Sequence, residues 1–266
     1  MMQREKVKVL IMTGFGLNCE KETFAAFKQA QASPEMVHLN DLLAGKVSLD
    51  DYHILAFIGG FSFGDHLGAG TVFANRLKFR LNDSLRKFIS DGKLAIGICN
   101  GFQTMTRLGL LPAAGGKYFQ VQCGLAHNDS GVFRDDWCEL VADPASPCVF
   151  TRGIERLRLP IRHGEGKFVA DDDILDQVKS GHLAALRYCD NAGRPTMEFP
   201  ANPNGSLDAV AGVTDPTGRL FGLMPHPEAF LSPYNAPDWT ARQTVPAVGE
   251  GAAIFRNAVD FAAENL

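Results

Sequence analysis

Short, mostly apolar runs that end within two residues of a glycine constrain the fold of this 266-residue chain more than any other feature. Three such runs are Val7–Met12, Ile54–Ile58 and Leu94–Ile98. Runs of five or six residues rich in valine, isoleucine and leucine are typical of strands buried on both faces. Between them, Glu20–Gln31 and Phe73–Ile89 carry apolar residues at helical spacing. This alternation of strand and helix predicts a parallel sheet with helices on both faces.

The region from about Phe119 to Pro200 has a different pattern. Short alternating segments, such as Phe119–Val121 and Trp137–Val141, are broken there by Gly, Pro and Asp, which favours antiparallel strands at the sheet edge. Two later strands and two helices are expected at Ala209–Val213, Leu220–Met224, Phe102–Leu111 and Ala252–Ala263. The sequence therefore predicts an α/β fold in one domain over residues 1–266, with a doubly wound, mostly parallel sheet flanked by helices and an inserted antiparallel edge region.

Composition excludes several classes of protein. Hydrophobic residues make up 45% of the chain, charged residues 21%, and the formal net charge is -4, as in ordinary globular proteins. An acidic chain without a basic cluster is not expected to bind nucleic acid. We find neither an apolar stretch near the ~18–20 residues of a membrane span nor a secretory signal, so we expect a cytoplasmic protein that does not enter membranes.

Cofactor and metal motifs are weak or absent. The glycines after the first strand resemble only part of a dinucleotide fingerprint, with Cys19 at the third glycine position. The chain has no G-x-x-x-x-G-K-[ST] motif, and thus no ATP site of its own is expected. The six cysteines include no C-x-x-C pair, and Cys123, His127 and Cys138 lack the paired spacing of zinc ligands. We therefore expect neither a metal nor a cofactor in this chain.

The segment Gly97-Ile98-Cys99-Asn100-Gly101 has the pattern of a nucleophile elbow, G-x-nucleophile-x-G, between a strand and a helix. The glycines allow a sharp turn, and the helix N-terminus favours a thiolate at Cys99. The alternative interpretation is a buried cysteine ahead of an ordinary helix. Both glycines and the strand–turn–helix context favour the nucleophile.

A thiol nucleophile needs a base and a group that orients the base. The segment MPHPE at 224–228 places His226 between two prolines, with Glu228 two residues further on. Residues two apart in extended backbone face the same side, so Glu228 is predicted to hold the His226 imidazole. By itself His226 would be interpreted as a surface-loop histidine, but together with Cys99 it becomes a candidate base.

An oxyanion hole is the third requirement of this chemistry. The loop GGFSFG at 59–64 follows another buried strand, and neighbouring parallel strands end at the same sheet edge. The backbone N–H groups of Gly60, Phe61 and Asn100 are therefore candidate oxyanion donors. The alternative for this loop is a simple glycine turn.

These motifs together resemble a known family. GICNGFQ at 97–103, MPHPE at 224–228 and GG at 59–60 are similar to the class I, or triad, glutamine amidotransferases. Within that class the chain resembles the glutaminase components of phosphoribosylformylglycinamidine synthase, in their free-subunit form, from about residue 7 to 263. The closer resemblance lies in GFGLNCEKET at 14–23, GGFSFGDHLGAG at 59–70, HNDSGVF at 127–133, RHGEGKF at 162–168, LRYCDN at 186–191 and PANPNGS at 200–206.

The resemblance implies a catalytic triad. Cys99 would attack the side-chain amide of L-glutamine and form a γ-glutamyl thioester. His226 would take the thiol proton and give it to the leaving ammonia, while Glu228 would orient His226. The chain departs from the family's usual pattern at Phe63, which is often Tyr, but not at a triad position.

The resemblance also implies which residues hold the substrate and which partner uses the product. Gln103, His163 and Gly164 would bind glutamine, although His163 can also be interpreted as a packed loop histidine. The ammonia would pass to a formylglycinamidine synthetase subunit in purine biosynthesis, with a small third subunit also compatible with the free-subunit form. ATP and Mg²⁺ would bind to that synthetase.

Three alternatives remain open at this stage. The chain could be a class I amidotransferase that serves a different synthetase, although GGFSFGD and HGEGKF argue against it. It could be a cysteine peptidase or a DJ-1-like stress protein on a similar elbow, which would not require the PHPE segment. It could also be a binding module in which Cys99 is inert, and failure of Cys99 to react with a glutamine-analogue label would favour that.

Overall fold

The computed structural model describes residues 2–241 and 243–266, and their strands and helices confirm the α/β prediction. The strands are β1 (Lys8–Thr13), β2 (Ser33–His38), β3 (Ile54–Phe57), β4 (Leu94–Ile98), β5 (Cys123–His127), β6 (Arg134–Ala142), β7 (Arg156–His163), β8 (Glu165–Ala170), β9 (Leu186–Tyr188), β10 (Val210–Thr214) and β11 (Leu220–Leu223). The helices are α1 (Glu20–Gln29), α2 (Leu39–Leu43), α3 (Thr71–Arg80), α4 (Asn82–Ser90), α5 (Asn100–Leu108), α6 (Asp172–Ser180) and α7 (Ala252–Asn265).

In the described parts of the chain, one nine-stranded sheet runs in the order β2-β1-β3-β4-β11-β10-β9-β6-β7. The strands from β2 to β11 are parallel to one another, and those from β10 to β7 continue the sheet in antiparallel pairs. Strands β5 and β8 form a separate antiparallel ribbon. The inserted strands therefore extend the parallel sheet at its far edge, as the middle of the sequence predicted.

The parallel strands form the core of the molecule. Every residue of β3 and β4 is buried, which explains why their sequences are continuous apolar runs rather than alternating ones. Helices cover these strands, and Phe27 of α1 packs edge-on against Phe255 of α7 with ring centroids 5.1 Å apart. Among the described helices, none is long and apolar enough to cross a membrane.

Some elements differ from the sequence prediction. The expected helix over Phe73–Ile89 is two helices, α3 and α4, because the backbone leaves the helical region at Leu81, where φ is -131°. Phe119–Val121 forms no strand, since Phe119 has a φ of 62°, and the ribbon begins at Cys123. Strand β2 was not expected, yet proline is tolerated in it because β2 lies at the sheet edge.

The topology brings four chain segments to one place. Strands β1, β3, β4 and β11 are parallel neighbours, so their carboxyl ends meet at the same sheet edge. The loops that follow them contain Cys19, Gly60, Cys99 and His226. Loops at this edge are the usual location of binding sites in open α/β sheets.

Candidate active site

Cys99 occupies the turn between β4 and α5 in a conformation that few side chains adopt. Its φ is 51° and its ψ is -109°, and its backbone N–H donates to the Leu223 carbonyl at 2.9 Å. Helix α5 begins at once, with the Gln103 N–H donating to the Cys99 carbonyl at 3.0 Å. This strained strand–turn–helix geometry is that of the predicted nucleophile elbow.

The two glycines of the elbow are required by close packing. A Cβ on Gly101 would overlap the carbonyl of Phe57 in β3, and one on Gly97 would lie 2.6 Å from Met105 Sδ. Side chains at these positions would push α5 away from the sheet. The glycines therefore allow the first turn of the helix to lie against the strands, which fixes the position of Cys99.

His226 and Glu228 form a buried pair. His226 Nδ1 lies 2.6 Å from Glu228 Oε1, and the two residues are only 2% and 3% exposed. The His226 N–H donates to the Pro160 carbonyl at 2.8 Å, which ties this loop to β7. The predicted pairing is present, but Glu228 lies in a short 3₁₀ turn, Pro227–Ala229, rather than in extended backbone.

The surroundings of His226 set the direction of its pKa. Burial alone would lower it, because burial disfavours a charged imidazole. The charge of the Glu228 carboxylate, with smaller contributions from Cys99 and from a hydrogen bond with Cys19, more than offsets that effect, so the pKa of His226 is raised well above its ordinary value. A proton that reaches this imidazole is therefore held firmly, as a base beside a thiol nucleophile requires.

The glycine loop after β3 lies against the loop after β1. Gly60 has a φ of 141°, and a Cβ there would lie 2.6 Å from Leu17 Cα. The Phe61 N–H already donates to the Gly16 carbonyl at 2.9 Å. The Phe61 N–H therefore already has an acceptor. This leaves the N–H groups of Gly60 and Asn100 as the candidate donors of the proposed oxyanion hole. Asn100 lies in the first turn of α5, where N–H groups have no acceptor within the helix.

Two adjoining cavities, of about 190 Å³ and 110 Å³, open onto Cys99. The larger one is lined by Gln103, His163 and Gly164, as well as by the acidic residues Asp65 and Glu165. The smaller one is lined by Cys19 and His226. The structure thus brings the candidate substrate-binding residues and the candidate triad to one place, and glutamine-sized space lies beside the thiol.

A hydrogen-bond network joins α5 to β8. The Gln103 amide donates to the Glu165 carbonyl at 2.6 Å, and the Asn100 amide donates to Gln103 Oε1 at 3.0 Å and to Asp65 Oδ1 at 3.1 Å. Because Gln103 and Asn100 are buried, these bonds fix both side chains, and they hold Gln103 at the wall of the larger cavity. Asp65 was not predicted as a site residue, although it lies in the same glycine-rich segment.

His163 is a packed histidine as well as a cavity residue. Its ring lies against Gly166, and its Nδ1 pairs with Asn128 Oδ1 at 3.1 Å. Burial, and to a lesser extent the nearby His226, lowers the pKa of His163 to about 3. The ring is therefore uncharged near neutral pH. The backbone next to His163 also contacts the candidate nucleophile, since Cys99 Sγ donates to the Arg162 carbonyl at 3.7 Å.

Sequence reasoning missed Cys19 as a site residue. It was considered only as a replacement for the third glycine of a dinucleotide fingerprint. In the loop that precedes it, the N–H groups of Leu17 and Asn18 already donate to the Gly14 and Gly59 carbonyls, so these two groups are not free to bind a phosphate. The signal was available, since Cys19 follows a strand that ends at the same edge as the elbow.

Comparison with known proteins first identifies a class. The family model of the CobB/CobQ-like glutamine amidotransferase domain matches residues 6–262. A solved structure, "Structure of PurLQS from Thermotoga maritima", matches with a TM-score of 0.71 and 29% identity, covering 96% of this chain and 99% of that one. The chain thus has the fold of a glutamine amidotransferase, which confirms the class that the sequence motifs indicated.

Curated relatives then narrow the family. Phosphoribosylformylglycinamidine synthase subunit PurQ of Methanococcus maripaludis is 42% identical over 96% of this chain and 97% of its own length. The PurQ subunit of Dehalococcoides mccartyi is 43% identical over 97% of this chain and 98% of its own length. The chain belongs to the PurQ family of phosphoribosylformylglycinamidine synthase glutaminase subunits.

Proposed function

We propose that this chain is the glutaminase subunit of a phosphoribosylformylglycinamidine synthase in de novo purine biosynthesis. It hydrolyses L-glutamine to glutamate and ammonia, and it delivers the ammonia to an ATP-dependent synthetase. The observation that carries this proposal is the elbow thiol of Cys99 beside the buried His226–Glu228 pair, in cavities of glutamine-sized volume.

The proposed reaction proceeds in two steps. Cys99 Sγ attacks the amide carbon of glutamine, the carbon–nitrogen bond breaks, and the thiol proton passes through His226 to the departing ammonia. Water, activated by His226, then attacks the thioester, which releases glutamate and restores the thiol. Glu228 holds the imidazole in one orientation, and the N–H groups of Gly60 and Asn100 stabilise the oxyanion.

The partner in this proposal is a formylglycinamidine synthetase subunit that binds ATP, Mg²⁺ and the acceptor nucleotide, and a small third subunit is compatible with it. We place the complex in the cytoplasm, and we propose neither a metal nor a cofactor for the glutaminase reaction. The resemblance of this chain to PurQ subunits over nearly its whole length supports this partner rather than a different synthetase.

The test compares the wild type with Cys99→Ala in the presence of the synthetase, ATP, Mg²⁺ and acceptor. We expect glutamate release and glutamine-dependent amidination to fall by about 10⁴-fold or more, because no other group replaces the nucleophile. Amidination driven by added ammonium salt should persist. The matched control is Cys148→Ala, which removes another buried thiol outside both cavities.

Two outcomes would overturn parts of the proposal. Loss of the ammonia-driven reaction in Cys99→Ala would contradict a purely glutaminase role for Cys99. Glutaminase activity that requires Cys99 but supports no amidination with this synthetase would keep the chemistry and reject the assigned partner.

A further inference from the structure

The reaction proposed above leaves one buried thiol at the site without a role. Cys19 lies directly before α1, is 7% exposed, and lines the smaller cavity together with Cys99 and His226. Burial raises the pKa of the Cys19 thiol, although a hydrogen bond with His226 acts in the opposite direction. Cys19 is therefore a protonated thiol near neutral pH, unsuited to act as a second nucleophile.

The backbone of Cys19 is fixed next to the candidate triad. Its carbonyl accepts from Thr23 Oγ1 at 2.7 Å and from the Thr23 N–H at 3.1 Å, in the first turn of α1. The preceding residue, Asn18, donates its N–H to the Gly59 carbonyl at 3.2 Å. Helix α1 in turn packs against the short turn Pro227–Ala229 of the triad. The helix and the loop after β3 therefore hold Cys19 from two sides.

The Cys19 sulfur and the His226 ring meet beside Gly59. A Cβ on Gly59 would lie 2.9 Å from His226 Cε1 and 3.0 Å from Cys19 Sγ. Cys19 Sγ also lies within 4.8 Å of a ring nitrogen of His226 and of a carboxylate oxygen of Glu228. Glycine at position 59 thus leaves the space in which sulfur and imidazole come together, while Glu228 holds the ring at Nδ1.

The direction of the Cys19 proton determines what the sulfur offers to the imidazole. The thiol donates to Asn18 Oδ1 at 3.4 Å, so its lone pairs remain to accept a hydrogen bond from His226. An acceptor favours the protonated ring. Although burial opposes it and Glu228 contributes more, the hydrogen bond with Cys19 is among the interactions that raise the pKa of His226. The sulfur therefore stabilises the imidazolium that forms when His226 takes the proton of Cys99.

The titratable and charged groups around His226 come from four segments: its own turn, the elbow, the loop before α1, and β7. Among the described residues, those that act on His226 or line its cavity are Glu228, Cys99, Cys19, His163 and Arg162. Cys19 is the uncharged thiol that the proposed reaction does not use. Removal of its sulfur therefore changes the environment of His226 without removing a reacting group.

We propose that Cys19 is a positioning residue for His226, whose sulfur supports the imidazole beside Gly59 and accepts a hydrogen bond from the protonated ring. The inference rests on the proposed glutaminase function, because the contact assists the proton transfer from Cys99 to His226. No covalent step is assigned to Cys19. Without the sulfur, the ring is held mainly through Glu228, and it is less often placed for proton transfer.

The first experiment compares the wild type with Cys19→Ala and Cys19→Ser in the presence of the synthetase, ATP, Mg²⁺ and acceptor. We expect kcat for glutamate release to fall by about fivefold or more in Cys19→Ala. The KM for glutamine should change little, because the contact is with His226 and not with the substrate. Cys19→Ser should recover most of the loss, since its hydroxyl can accept at the same place. Cys148→Ala, which removes another buried thiol outside both cavities, should behave as the wild type does.

The second experiment does not depend on turnover. Nuclear magnetic resonance of isotope-labelled histidine in Cys99→Ala follows the protonation of His226 in a chain that cannot react. Addition of Cys19→Ala should lower the pKa of His226, and Cys19→Ser in its place should restore it. The ring signal of His163, which pairs with Asn128, shows in each variant that the site is folded.

Each outcome bears on one proposal. An unchanged pKa of His226 in the Cys19→Ala chain, with the His163 signal intact, would overturn the positioning role. A higher KM for glutamine at constant kcat would also overturn it, since Cys19 would then act on the substrate. Equal losses in Cys19→Ala and Cys19→Ser would mean that the sulfur only fills space. A lowered pKa of His226 in a chain without glutaminase activity would keep the contact and reject the function.

Discussion

Two buried histidines face this site, and their surroundings shift their pKa values in opposite directions. Glu228 accepts from the His226 ring, and its charge raises the pKa of His226 above the ordinary value despite burial. The His163 ring pairs with the uncharged amide of Asn128, so burial dominates and lowers the pKa of His163 to about 3. The sequence predicted the His226–Glu228 pair from its spacing. It left the role of His163 open, because its amide partner lies 35 residues away in the chain.

His163 should make the protein less stable in acid. Its pKa is about 3 when folded and about 6.5 when unfolded, so between these pH values the unfolded chain binds the extra proton and stability falls as the pH falls. The slope from this group is at most about 1.4 kcal/mol per pH unit. In His163→Gln, urea unfolding between pH 4 and about 6.5 should show a shallower pH dependence of the free energy of unfolding. His66 is exposed, so His66→Gln is the control. An equal change in the pH dependence of unfolding in His66→Gln, or no change in His163→Gln, would contradict this account.

At the scale of elements, the parallel strands and the elbow were predictable because local sequence determines them. A strand buried on both faces must be apolar throughout, and the turn at Cys99 requires small neighbours. The break between α3 and α4 and the edge strand β2 were not predictable in this way. Leucine has a high helix propensity, so Leu81 gives no sign of the break in the sequence. Strand β2 depends on its pairing with β1, since only its second and fifth residues are buried.

Gly101→Ala should separate helix α5 from strand β3. The added methyl group overlaps the Phe57 carbonyl, which belongs to a buried strand and has little freedom to move. We expect a loss of about 2 kcal/mol or more in the free energy of unfolding, measured by urea titration, together with reduced glutaminase activity. Gly124→Ala is the matched control, because its nearest neighbour would be Val169 Cγ2 at an ordinary 3.6 Å. Equal destabilisation by the two substitutions would mean that the elbow packing is not what requires glycine at 101.

For the whole molecule, the proposed function couples ammonia release to a partner that consumes ammonia. The candidate triad comes from the segments that follow strands β4 and β11, while the larger cavity is lined by residues that include those of α5, the β7–β8 turn and the loop after β3. Relative shifts of these elements would alter the site, because it is assembled from segments far apart in sequence. A partner that favours the assembled arrangement would raise activity by shifting the population toward it.

The isolated chain should therefore hydrolyse glutamine slowly, and addition of the synthetase with ATP, Mg²⁺ and acceptor should raise the rate of glutamate release. We expect a gain of about tenfold or more, corresponding to a coupling free energy of about 1.4 kcal/mol. Glutamate release by equal amounts of the chain, alone and in the complex, is the measurement. An isolated chain as fast as the complex would show that its site needs no help from a partner.

The backbone of Cys99 has a consequence for anyone who wishes to engineer this protein. A φ of 51° with a ψ of -109° costs a side-chain-bearing residue about 1–3 kcal/mol, a cost that glycine would largely avoid. Selection for thermal stability would therefore favour replacement of the residue that we propose as indispensable for turnover. Ranking a library of variants by melting temperature alone would enrich inactive variants substituted at position 99. A search for a more thermostable enzyme must therefore measure turnover at each selection step as well.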